Sequence, residues 1–277
     1  MKISTQAQKA ESFKALHARS GAFIIPNPWD AGSARLLAAL GFEALATTSA
    51  GFAFSLGRVD GEVGRDEMIE HCRILCAATD LPVSADLENC FADDPKQAAE
   101  TIRLGAQAGL VGGSIEDYSG DDSRPIYDFA LAVERVHAAA EMARSLGFPF
   151  ALTARAENLL RGVRDMDDTI RRLQAYAKAG ADVLYAPALT TLDEVRTVCA
   201  AVGKPVNVLA PPLKGVTLMQ LVEAGAKRIS IGGALARATI ATFLRASKEM
   251  REPGSFGWTA DLASGKEIAD LFSAWRT

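Results

Sequence analysis

Long apolar runs are missing from this sequence. The most apolar stretches, such as 23–25 and 181–189, are much shorter than the roughly 18 residues that a helix needs to cross a bilayer. The first 20 residues carry five charged side chains and lack the continuous apolar segment of a secretory signal. We therefore expect no membrane span, no membrane partner and a cytoplasmic location.

A strong excess of charge of one sign is missing as well. The chain has 30 basic and 34 acidic residues, a formal net charge of −4, and no run of five like charges. Binding to nucleic acid or to an anionic membrane needs basic surface to pair with phosphates, so neither is an expected partner. The 277 residues, 49% hydrophobic and 23% charged, are typical of a globular protein with one large core.

Histidine and cysteine are scarce, and their positions are uninformative about catalysis. All three histidines fall within helical patterns, so a zinc site or a histidine base is not expected. They are His17, His71 and His137. Three cysteines, Cys72, Cys76 and Cys199, have the surroundings of buried thiols, whereas Cys90 lies in a predicted loop after a strand, where contact with a site is the weaker interpretation.

A repeating joint indicates the fold. Four times an amphipathic stretch ends in glycine, which suits the left-handed position after a helix, and a short apolar run follows. The joints are at Gly41, Gly109, Gly180 and Gly225. Together with the other apolar runs they predict strands near 22–26, 43–48, 82–87, 110–115, 149–154, 182–186, 205–210 and 228–232. Helical patterns separate them near 31–39, 66–79, 95–108, 127–146, 166–179, 191–202, 216–224 and 234–247.

Strict alternation of apolar strands and helices predicts an α/β protein with a buried parallel sheet. Eight such units favour a closed (β/α)₈ TIM barrel over an open doubly wound sheet. The first strand also leads into Pro26 and Asn27 without the glycine-rich loop of a dinucleotide site. We predict one barrel domain over 1–277, with an extra helix near 5–18 and a C-terminal helical extension over 243–277, broken near Pro253.

The predicted strands end in acidic residues, and these ends carry the chemistry in a TIM barrel. Asp86 and Glu88 follow the third strand, and the two-residue period of a strand puts them on one face. After the fourth strand, Glu116 and Asp117 point in opposite directions by the same argument. Oxygen ligands without histidine or cysteine suit Mg²⁺ or Mn²⁺, although carboxylates at loop starts also cap helices.

Two further strand ends are candidates for binding an anion. Arg155 ends the fifth strand, where it pairs with neighbouring carboxylates or anchors a substrate carboxylate, and the position at the mouth favours the anchor. The small residues 47–51 after the second strand leave backbone N–H groups accessible. Gly232 and Gly233 after the eighth strand are similar to a barrel phosphate site, but the loop at 210–212 lacks a matching glycine cradle, so phosphate is the weaker interpretation.

These strand ends together resemble the isocitrate lyase and phosphoenolpyruvate mutase superfamily, in particular its short methylisocitrate lyase-like or oxaloacetate decarboxylase-like members. The resemblance covers nearly the whole barrel, and six motifs occur in the same order. They are N-P-x-D-A-x-S-A at 27–34, the small-residue loop at 48–51, Asp60, D-x-E followed by D-D-P at 86–95, S-I-E-D at 114–117 and T-A-R ending at Arg155.

The resemblance implies roles for individual residues. Asp86 would be a metal ligand, directly or through water, and metal-bound waters would be held by Asp60, Glu88 and Glu116. The substrate carboxylate or oxyanion would be held by Ser49 with the amides of Ala50 and Gly51. Arg155 would contact a substrate carboxylate, and Asn207 would face the substrate from the seventh strand. The cofactor implied is Mg²⁺, with Mn²⁺ as an alternative.

The loop after the S-I-E-D motif departs from the family. Lyases that cleave isocitrate or methylisocitrate carry K-K-C-G-H there, and phosphonate mutases and hydrolases carry Lys and Asn. Residues 117–125 contain none of Lys, Cys, His or Asn. The strand-six glutamate of the lyases is also absent from 185–188. The departures leave the acid or base of the reaction unassigned.

The leading hypothesis is therefore a Mg²⁺-dependent carbon–carbon lyase. Its substrate would be a small 2-oxo or 2-hydroxy di- or tricarboxylic acid, cleaved or decarboxylated through an enolate. Two alternatives stay open: phosphonopyruvate-type mutase or hydrolase chemistry, and a catalytically weak barrel that binds 2-oxo acids. Apolar side chains beyond the eighth unit also predict a homo-oligomer, and the resemblance implies a tetramer. These are Phe256, Trp258, Leu271, Phe272 and Trp275.

Overall fold

The computed structural model describes residues 4–273, in which eight parallel strands alternate with helices around a barrel. Strands β1 to β8 cover Phe23–Ile25, Leu45–Ala46, Val83–Ala85, Gly112–Glu116, Ala151–Arg155, Val183–Tyr185, Val206–Leu209 and Arg228–Ser230. Helices α1 to α11 cover Gln6–Ala18, Ala31–Ala39, Ser49–Ser55, Arg65–Ala78, Pro95–Gln107, Phe129–Ser145, Met166–Ala179, Leu192–Ala201, Leu218–Glu223, Ala234–Arg251 and Gly265–Ser273, with a 3₁₀ helix at Gly257–Asp261. The (β/α)₈ prediction is confirmed.

The barrel is nearly closed. Parallel ladders join the strands in the order β1, β8, β7, β6, β5, β4, β3, β2. The remaining junction, between β1 and β2, is held by two hydrogen bonds just beyond the end of β1. The Ala46 N–H donates to the Pro26 carbonyl at 3.1 Å, and the Asn27 side-chain amide donates to the Thr47 carbonyl at 3.0 Å. Asn27, from the N-P-x-D motif, thus helps to close the ring.

Two elements differ from the sequence prediction. The small-residue loop expected at 48–51 is instead the start of a helix, because residues 49–55 form the short helix α3. Helix α10 runs without interruption through residue 243, where the C-terminal extension was predicted to begin, and ends at Arg251. The predicted break near Pro253 is confirmed, because the 3₁₀ helix and α11 follow it. No helix in the part of the chain that the structure describes is long and apolar enough to cross a membrane.

The main apolar core lies outside the barrel wall, between strands and helices. Leu152, Leu184, Val208 and Ile229 point outward from their strands and are buried in this cluster. Because side chains alternate along a strand, the residues between them point into the barrel. In the upper barrel these inward positions are mainly polar, which leaves the interior available for a site.

Helix α1 closes the base of the barrel. Its Phe13 and Leu16 pack against Phe23 and Ile25 of β1 in a separate apolar cluster. A methyl group on Gly112 of β4 would lie 3.0 Å from the Phe13 ring and 2.9 Å from a backbone oxygen, so the helix packs here only against glycine. With the base plugged, solvent reaches the interior from the opposite end, where the strands finish.

Candidate active site

The carboxyl ends of the strands surround a cavity of about 1100 Å³. The structure brings seven of the predicted site residues together on its wall: Ser49, Ala50, Asp60, Asp86, Glu88, Glu116 and Arg155. Asn207 lies deeper, inside the barrel, and Gly51 is buried behind the wall of the cavity. The expectation that Asp86 and Arg155 meet at the mouth is confirmed by a 2.8 Å contact between Arg155 Nη1 and Asp86 Oδ1.

Arg155 is the centre of this carboxylate cluster. Besides Asp86, its Nη2 lies 3.1 Å from Glu116 Oε2, and its Nε donates to Glu157 Oε1 at 2.9 Å. The Tyr185 ring faces the guanidinium, with its centroid 5.1 Å from Arg155 Cζ. Both sequence interpretations of Arg155 are thus relevant: it forms ion pairs with the protein, and it stands where a substrate carboxylate would enter.

Asp86 connects the arginine to helix α3. Its Oδ2 accepts a hydrogen bond from Ser49 Oγ at 2.9 Å and one from the Ser49 N–H at 3.3 Å. Its backbone N–H donates to Thr47 Oγ1 at 2.9 Å. Because β2 and β3 are neighbours in the barrel, the residue after β3 and the first turn after β2 hold each other in place.

Glu88 and Asp60 face the same space as Asp86, and neither contacts a basic side chain within residues 4–273. Burial first, and then the charges of Asp86 and Asp60, raise the pKa of Glu88 to about 8. Burial first, and then the charge of Asp86, also raise the pKa of Asp60 at the rim of the cavity. Glu88 Oε1 is buried and accepts no hydrogen bond from the described residues. Both carboxyl groups are therefore destabilised as anions by their neighbours.

Negative charge exceeds positive charge at the mouth. Asp60, Asp86, Glu88, Glu116 and Glu157 gather around two arginines, Arg155 and Arg161. Within residues 4–273, no three acidic, histidine or cysteine side chains come close enough to hold a metal ion by themselves. The carboxylate oxygens at the mouth are the kind of donor that suits a hydrated Mg²⁺ or Mn²⁺, which keeps several waters and needs only one or two direct carboxylates. The buried, unpaired oxygen of Glu88 suits such a water.

The predicted opposition of Glu116 and Asp117 is also observed. Glu116 points inward and is buried, and this burial raises its pKa well above the usual range despite the nearby arginine charges. Asp117 points outward, where it accepts hydrogen bonds from Tyr176 Oη at 2.5 Å and the Glu157 N–H at 2.8 Å, and pairs with Arg172 at 3.2 Å. Alternation along β4 thus separates a site residue from a structural one.

The backbone donors predicted at two strand ends are largely used within the protein. The Gly51 N–H donates to Thr48 Oγ1, which caps α3. A methyl group at Gly51 would lie 2.6 Å from the Thr48 side chain, so glycine serves close packing there. At the end of β8 the amides of Ile231 and Gly232 donate to Asn27 Oδ1 at 3.0 and 2.9 Å. This engagement argues further against a phosphate cradle at 232–233.

Two residues that the sequence analysis missed complete the cavity wall. Arg161 follows β5 and lies 3.8 Å from Glu116, and its guanidinium stacks on the Tyr118 ring at 3.4 Å. Tyr118 belongs to the loop that departs from the family pattern. Both residues follow the ends of barrel strands, and this position is the sequence feature that could have identified them as site residues. Cys90, in contrast, is buried in the core with its Sγ 3.7 Å from the Ser114 carbonyl, and burial raises its pKa to about 12.

Two known proteins are similar to this chain over most of its length. An uncharacterized protein of Mycobacterium tuberculosis is 33% identical over 226 residues, covering 80% of this chain and 81% of that protein. The 2-methylisocitrate lyase of Bacillus subtilis is 29% identical over 214 residues, covering 74% and 68% of the two chains. The similarity in both cases spans most of the barrel.

Solved structures show the same architecture. A Burkholderia cenocepacia protein, named only as a candidate lyase or mutase, is 58% identical, with a TM-score of 0.94 over 97% of this chain and 96% of that one. A phosphonopyruvate hydrolase solved with oxalate and Mg²⁺ has the same fold at 20% identity, with a TM-score of 0.85 over 97% and 96%. The family model for phosphoenolpyruvate phosphomutase matches residues 13–251. The chain therefore belongs to the phosphoenolpyruvate mutase family, within the isocitrate lyase and phosphoenolpyruvate mutase superfamily of lyases and mutases.

Proposed function

We propose that this protein is a Mg²⁺-dependent lyase acting on a small 2-oxo or 2-hydroxy di- or tricarboxylic acid. The observation that carries the proposal is the convergence of Asp86, Ser49 and Arg155 with an excess of carboxylates at one end of the barrel. A carboxylate cluster suits a hard divalent cation, and an arginine suits a carboxylate ligand. Cleavage or decarboxylation would pass through an enolate.

The metal would be held mainly by Asp86, with Asp60, Glu88 and Glu116 holding its waters. When bound, the cation would stabilise the negative charge that develops on the 2-oxo group during bond cleavage. Mn²⁺ has the same ligand preference and is an alternative. Neutralising the crowded carboxylates would also lower the pKa of Glu88, because two of the three causes of its rise are neighbouring negative charges.

The residues of the chain would bind and orient the substrate. The Ser49 hydroxyl and the Ala50 amide, at the start of α3, would face its carboxylate or oxyanion. The Gly51 amide, also expected in this role, is instead engaged by Thr48 Oγ1. Arg155 would exchange part of its pairing with Asp86 and Glu116 for a fork of two hydrogen bonds to the substrate. Since its position is already set by three carboxylates, little conformational freedom remains to be lost on binding.

Phosphonate chemistry is the second candidate, because the matching family model is that of phosphoenolpyruvate phosphomutase. Against it, residues 117–125 lack the Lys and Asn of the phosphonate enzymes. The test is to assay oxaloacetate, methylisocitrate-like compounds and phosphonopyruvate side by side, with Mg²⁺ and with a chelator. We expect Mg²⁺-dependent turnover of a 2-oxo or 2-hydroxy acid. Turnover of phosphonopyruvate alone would refute the lyase, and ligand-induced stabilisation without any turnover would support a binding protein.

We further propose that the enzyme is a cytoplasmic homo-oligomer, with a tetramer as the expected state. Phe243, Phe256 and Leu262 in the C-terminal segment are 61–69% exposed, a large apolar area for an isolated chain. Of the residues predicted to drive association, Trp258, Leu271 and Phe272 are half-buried, and Trp275 lies outside the described residues. Light scattering at micromolar concentration should report a multiple of 29.3 kDa, and a monomer would contradict the proposal.

A further inference from the structure

The interior of the barrel beneath the carboxylate cluster is polar. In most TIM barrels bulky branched side chains fill this space. Here Ser84, Ser114, Thr153, Asn207 and Ser230 line an internal cavity of about 60 Å³. A water needs only about 10–15 Å³ measured in this way, so there is room for a group larger than one water.

A charged side chain, Arg228 of β8, lies in this cavity and is 95% buried, with only 5% of its surface exposed. Its Nε donates to Asn207 Oδ1 at 2.8 Å, and its Nη2 donates to Thr153 Oγ1 at 2.9 Å. Its Nη1 is buried and has no hydrogen-bond acceptor among the residues that the structure describes. The guanidinium is therefore held firmly by neutral groups, with donor capacity left over.

No carboxylate compensates the charge of Arg228 in the described structure. The phenol of Tyr185 is the one ionisable group that favours its charged form, and burial lowers its pKa to about 10, which still leaves it charged at neutral pH. Below it, burial and then the arginine itself lower the pKa of His17 to about 3, so His17 is neutral. Arg155, by comparison, contacts three carboxylates. A buried cation without an anionic partner is costly, and it is the arrangement expected where an anion binds.

The internal cavity adjoins the mouth. Asp86, Arg155, Tyr185 and Gly232 line both the cavity and the large opening above it. A ligand at the mouth can therefore extend one arm inward, past Asp86 and Arg155, to the free donor of Arg228. The arm must be narrow, because the cavity is about 60 Å³.

We propose that Arg228 binds one carboxylate of a dicarboxylate substrate, while the reacting end of that substrate stays near Asp86 and Arg155 at the mouth. This rests on the proposed function and narrows it: the chain would select short dicarboxylates over monocarboxylates such as pyruvate. Thr153 and Asn207 position the guanidinium. Asn207, expected to face the substrate, would then act through Arg228.

The test uses binding of uncleavable ligands by calorimetry, with malonate and succinate as dicarboxylates and formate, pyruvate and chloride as comparisons. The Arg228→Met variant removes the charge at similar length, and Arg228→Lys keeps the charge without the planar fork. Arg196→Met is the control, since Arg196 is exposed on the outer helix α8 and pairs with Asp193. Unfolding temperatures of all variants are recorded without ligand.

We expect Arg228→Met to lower the affinity for the better dicarboxylate by about 30-fold or more, as for loss of one partner of a buried charge pair. Pyruvate affinity should change less than threefold, Arg228→Lys should be intermediate, and Arg196→Met should match the wild type. With a dicarboxylate substrate, KM should rise more than kcat falls. If Arg228→Met does not fold, Arg228→Lys provides the test. The proposal then requires that the KM for a dicarboxylate, divided by the KM for a monocarboxylate, be larger in Arg228→Lys than in the wild type.

Two results would overturn the proposal. One is a dicarboxylate affinity within threefold of wild type in a folded Arg228→Met protein. The other is binding of chloride or formate as tight as that of the dicarboxylate and equally lost in the variant, which would make this an inorganic-anion site. A different result would refute the lyase assignment alone. If dicarboxylate binding depends on Arg228 but no Mg²⁺-dependent turnover occurs, the proposed role of Arg228 stands and the lyase assignment is wrong.

Discussion

Two clusters of buried charge lie back to back across the wall formed by β4 and β5. The outer cluster is balanced, with two carboxylates and two arginines: Asp117 and Asp168 pair with Arg172, Asp168 also pairs with Arg171, and Tyr176 donates to Asp117. The inner cluster, around Arg155, has more carboxylates than arginines and opens to solvent at the barrel mouth.

Glu157 connects the two clusters, because its N–H donates outward to Asp117 while its side chain reaches inward to Arg155. Neighbouring residues of the same strands thus build two different kinds of site. A buried charged group whose partners are all present contributes to stability. A charged group without a compensating partner is available to bind a ligand. Substitutions in the outer cluster should therefore affect stability, and substitutions in the inner cluster should affect activity.

The largest effect on activity should come from Asp86→Ala. The change removes the proposed metal ligand, so Mg²⁺-dependent turnover should become undetectable, while the unfolding temperature changes little because a residue after the strand supports little core. Activity and calorimetric Mg²⁺ binding would be measured on the same preparation. Turnover that survives both the substitution and chelation would exclude Asp86 as a ligand.

The largest effect on stability should come from the outer cluster, with Asp117→Ala. This variant deprives buried Arg172 and Tyr176 of a shared partner, and we expect a loss of about 3–5 kcal/mol in the free energy of unfolding, measured with urea. Asp193→Ala is the control, because its exposed pair with Arg196 should contribute less than about 1 kcal/mol. Equal losses in the two variants would mean that the outer cluster is not structural.

Arg155→Ala should reduce kcat/KM by about one and a half to nearly four decades, corresponding to roughly 2–5 kcal/mol for an unpaired carboxylate. Arg155→Lys should recover part of the loss, since lysine keeps the charge but not the bidentate geometry. Arg172→Lys makes the same chemical change in the outer cluster and should lower stability without changing KM. An effect of Arg155→Ala below threefold on the best substrate would refute the anchor role.

A smaller effect should appear in the pH dependence of metal-free stability. The folded-state pKa of Glu88, about 8, lies above its ordinary value, so the folded protein binds this proton more tightly than the unfolded chain. The contribution of Glu88 is therefore most favourable below pH 4 and declines as pH rises towards 8. Glu88→Gln should flatten this decline in unfolding temperature, and Mg²⁺ should raise stability most at high pH. A steeper decline in the variant would contradict this.

Much of the fold followed from the sequence, because strands and helices alternate with clear apolar patterning. The same two-residue period correctly separated Glu116 from Asp117. Helix α3 was missed because residues 49–55 alternate small and aromatic side chains without a helical apolar face, and its start depends on the cap supplied by Thr48.

Other features of the site depend on tertiary distances that no local pattern contains. Arg161 reaches Glu116 from a loop, and Arg228 is a single charged residue in a short strand whose neighbours appear only once the barrel closes. The three carboxylates around Arg155 come from the residue after β3, the end of β4 and the segment after β5. The sequence predicts which residues lie at the mouth, whereas the pairing of their charges depends on contacts between distant parts of the chain.

The plug at the base of the barrel has a consequence for synthesis of the chain. Helix α1 leaves the ribosome before the strands of the barrel, yet Gln6 donates hydrogen bonds to the carbonyls of Ala106 and Leu110, and Lys227 donates to that of Gly21 just after α1. At about 5–20 residues per second, the last of these partners emerges on the order of 10 s or more after the helix. The apolar side chains of Phe13 and Leu16 are covered by residues as late in the chain as Val111 and Ala151. A translational pause before residue 151 would therefore prolong the period in which the nascent chain is open to chaperones and to aggregation.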